Sequence, residues 1–379
     1  MKLSFLIYRY FPYGGQQRDL LRIVNSCLER GHEVEVYTLQ WQGDMPPGLE
    51  IKIVPVKAMS RVKLYQRFTV WVLDKLAMSP DHIVIGFNKM PGLDFYFAAD
   101  PCFAAKADEQ RGAYYRLTSR YRHFKSYEEA VFKPSATTEV LLLSSLQRQA
   151  FLKYYPECGG RLHDVPPGIS RDRRVTTKRE QDRIQFREEY GLSAGDILVL
   201  QVGSGFRIKG VDRSLRAIAA LPEEIRGKVR YMLVGQDKPG RFKSLARKLG
   251  VANQFSVLPG RDDIPRFLTG ADLLLHPAYS ESAGYVLLEA TISGLPVLTT
   301  ATCGYAFHVD KAGSGEVCKE PFHQSELNRR LSKMLENLES SSWSQNGRKY
   351  GLRDEIYALG ERAADIIESH AQIQHRVAS

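Results

Sequence analysis

Short apolar runs that alternate with amphipathic helical stretches constrain this 379-residue chain more than any other feature of its sequence. The chain opens with the run "KLSFLIY", followed by a glycine-containing turn, helical spacing over residues 17–30 and a stop at Gly31. The same order recurs through the strand-like runs "EVEVYTL", "IKIVPV", "HIVIGF", "FYFAAD" and "EVLLLSS". Strands separated by helices favour a parallel sheet covered on both faces, so we predict a doubly wound α/β architecture.

The alternation stops near residues 165–180 and then restarts. The stretch "DVPPGISRDRRVTTKRE" combines prolines, a glycine and a basic polar run, which is typical of a linker. After it come the strand-like runs "DILVLQVG", "VRYMLVG", "FSVLPG", "ADLLLHPA" and "LPVLTT". The sequence therefore predicts two α/β domains facing a cleft, a number that the chain length also favours. Ligands of open α/β sheets bind beyond the carboxyl ends of the strands, so the loops there are the first candidates for a site.

Composition narrows the cellular context. The 53 basic and 43 acidic side chains give a net charge of +10, which indicates either an anionic partner or ordinary solubility. Five cysteines stand far apart without a C-x-x-C pair, so neither a zinc knuckle nor a disulfide framework is expected and a reducing cytoplasm fits. The apolar start is too short for a signal peptide, and no run of about 20 apolar residues indicates a spanning helix. We predict a soluble or peripheral protein.

Two glycine-containing loops follow predicted strands. In "FPYGGQQRD" (11–19) the glycines allow phosphates to approach a helix N-terminus, although a simple tight turn explains them equally well. In "QVGSGFRIKGVDR" (201–213) Gly203 and Gly205 begin a dinucleotide fingerprint, but Ile208 stands at its third position, which disfavours NAD. Lys209 at the start of the next helix is suited to contact an anion; the alternative is a solvated lysine in a turn.

The stretch "SESAGYVLLEA" (280–290) carries two glutamates of different character. If a helix begins near Ala283 or Gly284, its first N–H groups can hold a diphosphate, and Glu281 just before it can reach what the phosphates carry. Glu289 lies in an apolar helical run, where a carboxylate needs a partner. That partner is either the hydroxyls of a ribose or an arginine that the sequence does not identify; alternatively, the side chain extends to solvent.

Several other chemistries are not indicated. The chain has no G-x-S-x-G, no H-E-x-x-H and no D-x-D motif, and the adjacent Asp262 and Asp263 are better explained as N-caps of a helix. We therefore expect no dedicated metal site. Lysine, arginine and helix N-termini would neutralise a pyrophosphate instead.

Together these residues resemble a known enzyme family. Glu281, Ala283, Gly284 and Glu289 match the Glu-x7-Glu signature of the retaining glycosyltransferases called GT-B family 4, and "RGHEVEVYT" and "EATISGLPVLTT" extend the similarity over most of the chain. The runs "YFPYGGQQRD", "GFNKMPGLDFYFAAD", "RLTSRYRH", "GQDKP" and "DLLLHPAY" are similar to bacterial glucosyltransferases of the lipopolysaccharide inner core. The resemblance implies a Rossmann-like acceptor domain over 1–168, a Rossmann-like nucleotide-sugar domain over 169–356, and a C-terminal helix (357–379) that returns to the first domain.

The same resemblance implies substrates and roles. The donor would be UDP-glucose, the acceptor a lipid-anchored core oligosaccharide with a phosphorylated heptose, and no cofactor or metal would be needed. Glu289 would bind the ribose, Glu281 the glucose hydroxyls, and Asp19 and Asp100 the sugar or acceptor. The remaining donor contacts are of two kinds. Backbone N–H groups of Gly15, Ala283, Gly284 and Tyr285 would lie near phosphate or sugar. The basic side chains of Arg173, Lys209 and Arg261 would hold the diphosphate and donor.

One departure from the family pattern concerns the basic loop. The family has adjacent arginine and lysine before the glycine, whereas this chain has Arg207, Ile208 and Lys209. Arg207 would act from one position away, and Lys209 is the stronger candidate. Family members retain the anomeric configuration, and we expect the enzyme to act by positioning the donor and stabilising charge as UDP leaves.

The segment of residues 103–133, here called the basic-aromatic segment, mixes seven Lys or Arg, four Asp or Glu and seven Phe or Tyr. Basic and aromatic side chains suit an anionic membrane interface, which would place the enzyme peripherally on the cytoplasmic face of the inner membrane. Alternatively, the segment packs its rings on the N-terminal domain and lines the acceptor site.

Three other functions are alternatives to this interpretation of the sequence. A related enzyme would use another nucleotide sugar or another glycolipid or capsule acceptor. A basic nucleic-acid-binding protein would need basic and aromatic residues across exposed helices or sheets. That function would leave the glycine-containing loops and the two glutamates without a role, so no nucleic-acid partner is expected. An inactive binding module is disfavoured because both glutamates and Lys209 are present.

Overall fold

A computed structural model of the protein describes residues 1–12, 14–78, 81–174 and 179–378. The chain divides into two compact units. Unit 1 comprises Met1–Gly168 and Tyr357–Ser379, and unit 2 comprises Ile169–Ile356. In the described ranges, no helix is both long and apolar enough to cross a membrane.

Unit 1 is built on a parallel sheet of seven described strands. They run in the spatial order β3-β2-β1-β4-β5-β6-β7, so β1 lies inside the sheet between β2 and β4. The strands are β1 (Lys2–Leu6), β2 (Glu33–Thr38), β3 (Glu50–Ile53), β4 (His82–Gly86), β5 (Phe95–Ala98), β6 (Glu139–Leu142) and β7 (Leu162–Asp164). Their side chains on both faces are mostly buried, as expected for a sheet covered by helices.

Five α-helices of unit 1 lie between its strands along the chain, and a sixth ends the chain. The five are α1 (Gly15–Glu29), α2 (Arg61–Ala77), α3 (Phe103–Gln110), α4 (Ser119–Phe132) and α5 (Ser145–Tyr154), and the sixth is the helix Leu359–Ala378. Shorter 3₁₀-helical turns cover Ala113–Leu117 and Pro156–Arg161. The connections that carry α1, α2 and α5 follow the βαβ pattern that the sequence predicts.

Unit 2 holds a second parallel sheet, with six described strands in the order β10-β9-β8-β11-β12-β13. The strands are β8 (Ile197–Val202), β9 (Val229–Val234), β10 (Phe255–Leu258), β11 (Leu273–His276), β12 (Val297–Thr300) and β13 (Gly315–Cys318). The helices are α6 (Arg179–Glu189), α7 (Val211–Ala219), α8 (Glu223–Arg226), α9 (Gly240–Lys248), α10 (Ile264–Gly270), α11 (Tyr285–Ile292), α12 (Ala306–Ala312), α13 (Gln324–Glu336) and α14 (Trp343–Tyr350). The terminal helix of unit 1 is α15 in this numbering.

The chain returns to unit 1 through α15, which packs along α1. Its apolar face, which includes Ala364 and Ile367, is fully buried. Arg30 at the end of α1 pairs with Asp365 and Glu368, at 2.8 Å each. The first domain is therefore completed by the last residues of the sequence.

The predicted strands and the doubly wound architecture are confirmed. Two strands at sheet edges, β7 and β13, are absent from the prediction. Asp263 is the N-cap residue of α10, as predicted, but its side chain makes no cap hydrogen bond; its carboxylate accepts from Arg261 at 2.6 Å. Of the predicted linker, residues 175–178 lie outside the described residues.

Candidate active site

Lys209 is held in a loop between β8 and α7 that only glycine can build. Gly203, Gly205 and Gly210 all have positive φ angles, of 141°, 75° and 72°. A Cβ on Gly203 would lie 3.2 Å from Cε of Lys209, and a Cβ on Gly210 would lie 2.0 Å from the carbonyl oxygen of Pro277. The lysine side chain therefore lies over bare backbone, and the loop is pressed against the segment that follows β11.

The buried Gln201, on β8, fixes the end of this loop. Its amide nitrogen donates to the carbonyl of Lys209 at 2.6 Å, and its amide oxygen accepts from the hydroxyls of Ser214 at 2.7 Å and Tyr231 at 2.5 Å. Because every group in this network has a partner and little solvent access, the backbone of Lys209 is well positioned.

Glu281 lies between two basic side chains. One carboxylate oxygen is ion-paired with the ammonium of Lys209, and the other lies 2.6 Å from Nε2 of His276, a fully buried residue at the end of β11. Burial alone would raise the pKa of Glu281, but Lys209 and His276 outweigh it and lower that pKa from about 4.5 to about 2. Glu281 is therefore an anion at neutral pH, and it can accept hydrogen bonds but cannot donate a proton.

Backbone contacts also hold Glu281. Its N–H donates to the carbonyl of Thr302 at 3.1 Å, and its carbonyl accepts from the N–H of Gly304 at 3.0 Å. These bonds join the loop after β11 to the loop after β12, so the carboxyl ends of two neighbouring strands shape the site, as expected for a parallel sheet.

Helix α11 starts next to this loop, where the sequence predicts it. Gly284 is its N-cap residue, has a φ of 97° and contributes no side-chain cap. Ala283 is buried and its carbonyl accepts from the N–H of Tyr305 at 2.6 Å; the ring of Tyr285 meets that of Tyr305 edge to face. The helix terminus thus presents backbone rather than a capping side chain, as an anion site requires.

Glu289 is buried within α11, and its side chain is only 8% exposed. Its Oε1 lies 4.0 Å from Nε of Arg173, so the structure contains the arginine that the sequence leaves unidentified. Nε of Arg173 itself is buried without a hydrogen-bond partner among the described atoms. The pair sits at the outer limit of an ion-pair distance.

The other two predicted arginines of unit 2 lie elsewhere in the loops. Arg261 binds the carboxylate of Asp263 through two hydrogen bonds, at 2.6 and 2.8 Å, and lies over the ring of Phe267. Arg207 is exposed, in the same loop as Lys209. Neither contacts Glu281 or Glu289 in this structure, so their donor contacts remain predictions.

Unit 1 carries the remaining predicted residues. Gly15 is the first residue of α1, and Tyr13 in the loop before it lies outside the described residues. Asp19, fully buried on α1, lies 3.1 Å from Nη1 of Arg22. Asp100 is exposed just after β5 and lines a cavity with Asn88 and Lys89. Along the sequence of this unit, Asp19 comes after the carboxyl end of β1, and Asp100 comes after the carboxyl end of β5.

Comparison with known proteins identifies the family. Residues 182–350 match the sequence model of the family "Glycosyl transferases group 1". The chain is 46% identical, over 97% of its own length and 98% of the relative's, to the lipopolysaccharide glucosyltransferase WaaG of Escherichia coli K12. The protein belongs to this glycosyltransferase family.

Solved structures agree with this assignment. A crystal structure of WaaG, described as a glycosyltransferase involved in lipopolysaccharide biosynthesis, matches with a TM-score of 0.90 and 46% identity over 96% of this chain and 99% of that one. Anabaena HepE in complex with UDP-glucose matches with a TM-score of 0.75 over 97% of this chain and 100% of that one, at 17% identity, which supports the fold alone. The chain is a glycosyltransferase with the GT-B fold.

The sequence interpretation of this glycosyltransferase missed His276 and Gln201. Both are polar residues at or near the end of an apolar strand, and that position is the signal that could have identified them. Their partners come from distant parts of the chain, so their roles could not be read from spacing.

One group of described residues has the geometry to hold a metal ion: ligand atoms of His276, Glu281 and Cys303 lie within 4.8 Å of one another. Two observations disfavour a metal there. Lys209 already neutralises Glu281, and burial together with the charge of Glu281 raises the pKa of the Cys303 thiol to about 11. A neutral thiol is a poor ligand, since metals bind the thiolate.

Proposed function

We propose that the protein transfers glucose from UDP-glucose to a heptose of the lipopolysaccharide inner core, with retention of anomeric configuration. The near full-length similarity to a lipopolysaccharide glucosyltransferase carries the proposal. The site in unit 2 supports it, because its groups suit a nucleotide sugar.

The donor's parts find chemically suited groups in unit 2. The diphosphate would lie against the N-terminus of α11 and the ammonium of Lys209, with Arg173, Arg207 and Arg261 as further cations. Glu281, ionised and held in place, would accept hydrogen bonds from glucose hydroxyls. Glu289 would bind the ribose hydroxyls and Arg173 would balance its charge.

Catalysis in this scheme is positional and electrostatic. As the glycosidic bond to UDP breaks, negative charge grows on the leaving diphosphate, and Lys209 and the helix terminus oppose it. Positive charge grows on the glucose ring, where the Glu281 anion stabilises it. These protein groups supply the charge that a metal would otherwise provide, so we propose a metal-independent reaction with no cofactor.

The acceptor would be a lipid-anchored core oligosaccharide with a phosphorylated heptose, reached by peripheral binding at the cytoplasmic face of the inner membrane. The basic-aromatic segment supports this through Tyr114 and Leu117, whose side chains are 87% and 74% exposed next to the exposed Arg116. Other rings of the segment pack inward, such as Phe132, which is fully buried. The exposed side chains support membrane contact, and the buried rings support packing on the N-terminal domain. A different nucleotide sugar, glycolipid or capsule acceptor is the alternative.

Calorimetric titration in EDTA tests the donor assignment. Wild type, Glu289→Ala and the control Glu189→Ala, which removes an exposed carboxylate of unit 2, are titrated with UDP-glucose, UDP-galactose, GDP-mannose and NADH. We expect micromolar to millimolar binding of the uridine nucleotides by wild type and control, lost in Glu289→Ala because the ribose contact is gone. Binding that survives in Glu289→Ala, or that requires added metal, would contradict the proposed site.

A further inference from the structure

Unit 1 contains a cavity of about 350 Å³ whose walls come from α2, from the ends of β1, β4 and β5, and from the basic-aromatic segment. The volume lies in the range of small-molecule sites, roughly 300–1,000 Å³. Five basic side chains line it, with a single acidic one, Asp100. The basic residues are Arg61, Lys89, Lys106, Arg111 and Arg120.

Most of this positive charge is not neutralised by the protein. Lys89 is paired: its ammonium lies 2.6 Å from Glu128 and donates to the carbonyl of Pro101 at 2.8 Å. In the part of the chain that the structure describes, the other four make no ion pair with an acidic side chain. Arg61, Arg111 and Arg120 are exposed to solvent and Lys106 is partly buried, so these like charges gather on one open concave surface, which favours binding of an oxyanion.

Aromatic rings form the rest of the wall. Tyr8 and Tyr65 are stacked with centroids 3.7 Å apart, and Phe103 lies 5.7 Å from Phe124. Guanidinium groups of Arg111 and Arg120 lie over the rings of Tyr115 and Phe124, which orients these long side chains. Aromatic faces carry partial negative charge and attract the C–H edges of a sugar ring, while Asn88 and Asp100 offer hydrogen bonds to hydroxyls.

A buried network makes the wall rigid. The carboxylate of Glu128, on α4, accepts from the N–H groups of Phe103 at 2.6 Å and Ala104 at 2.9 Å and from the hydroxyl of Tyr155 at 3.0 Å. This carboxylate is fully buried and caps the start of α3 from a neighbouring helix. The part of the segment that lines the cavity is thus fixed to unit 1.

We propose that this cavity binds a phosphorylated sugar, with Arg61, Lys106 and Arg120 on the phosphate and the rings of Tyr65 and Phe124 against the sugar. The inference rests on the proposed function, since it assigns to the cavity the phosphorylated part of the acceptor. Guanidinium and ammonium groups on three separate elements surround the phosphate, a geometry suited to its several oxygens.

The test compares two double variants of equal charge. The lining variant combines Arg61→Gln with Lys106→Gln and so removes two charges that line the cavity. The control variant combines Lys63→Gln with Lys75→Gln and so removes two exposed charges of α2 outside the cavity. The acceptor is core oligosaccharide ending at heptose, deacylated so that no membrane is needed, in its phosphorylated form and after removal of phosphate with hydrogen fluoride. The readouts are the acceptor KM, calorimetric binding of the same acceptor, and UDP-glucose binding as a check on the fold.

We expect the lining variant to raise the KM for the phosphorylated acceptor by about tenfold or more, with UDP-glucose binding unchanged and the control like wild type. For the dephosphorylated acceptor, wild type and lining variant should have similar KM values. Equal effects of both double variants, or an unchanged KM, would overturn the proposal.

Two further outcomes separate this inference from its alternatives. If the wild-type protein transfers no glucose but binds the phosphorylated oligosaccharide, and the lining variant does not bind it, the proposed function fails and the cavity assignment stands. A lipid headgroup shares the phosphate chemistry. Loss of binding to phosphatidylglycerol vesicles by the lining variant, with its KM for the deacylated acceptor unchanged, would assign the cavity to lipid and overturn the sugar proposal.

Discussion

Glu281 illustrates how neighbours decide the chemistry of one side chain. Its pKa is lowered to about 2 by Lys209 and His276, so protonation occurs only as the pH falls from about 4.5 towards 2. Its contribution to stability is therefore fully present above pH 4.5 and is lost below it. Over the pH range of an enzyme assay the residue is an anion.

This gives a prediction for pH profiles. Glu281→Gln removes the anion and should lower kcat by about 10²-fold at every pH from about 5 to 9, because an electrostatic contact at the reacting sugar is lost. Any limb of the wild-type profile in that range belongs to another group and should therefore still be present in the variant. A limb that disappears in Glu281→Gln would contradict the ionisation argued for Glu281.

At the scale of elements, the loop that carries Lys209 depends on Gly210. Gly210 and Gly250 both have a φ of 72°. A Cβ added at Gly210 would meet the carbonyl of Pro277, whereas a Cβ added at Gly250 would have no atom within 4 Å. Both alanine variants bear the cost of a left-handed residue, about 1–2 kcal/mol. Gly210→Ala should lose about 2 kcal/mol more from overpacking, and it should weaken UDP-glucose binding. Thermal denaturation and calorimetry measure both effects; equal stability of the two variants would contradict this account.

The start of α3 depends on a carboxylate from α4. Glu128→Gln leaves the partly buried Lys89 without its charged partner, so we expect the free energy of unfolding to fall by about 3 kcal/mol and the amides of Phe103 and Ala104 to exchange faster. The adjacent Glu129 makes a partly exposed ion pair with Lys125, at 3.3 Å. Glu129→Gln should change stability by less than about 1 kcal/mol. Similar exchange rates in both variants would show that Glu128 does not hold α3.

At the scale of the whole molecule, the last helix completes the first unit. Ile367 on α15 is fully buried where this helix packs along α1. Ile367→Ala should destabilise unit 1 by about 2–5 kcal/mol through the cavity it leaves, although the residue is near the end of the chain. Hydrogen exchange resolved by peptide locates the effect; increased exchange confined to α15, with α1 protected, would contradict the structural role.

Sequence patterns predicted most of this architecture, for identifiable reasons. Interior parallel strands are buried on both faces and appear as continuous apolar runs, so β1, β4 and β8 were evident. The edge strands β7 and β13 are short and partly polar, and lack that signature. Motif spacing indicated Glu281, Lys209 and the start of α11. The buried partner His276 and the basic cavity arise from tertiary packing of distant segments, which spacing does not encode.

Glucosyl transfer from UDP-glucose to the heptose-terminated core can be measured in a single assay. The protein is incubated in EDTA with UDP-glucose and lipopolysaccharide truncated at heptose, and the product is followed by mass spectrometry and by NMR of the new linkage. Lys209→Met, which leaves the Glu281 anion without its ammonium partner, is the inactive comparison. We predict the gain of one α-linked hexose with wild type and almost none with the variant. No hexose gain from UDP-glucose, transfer only from another nucleotide sugar, or a β-linked product would contradict the account.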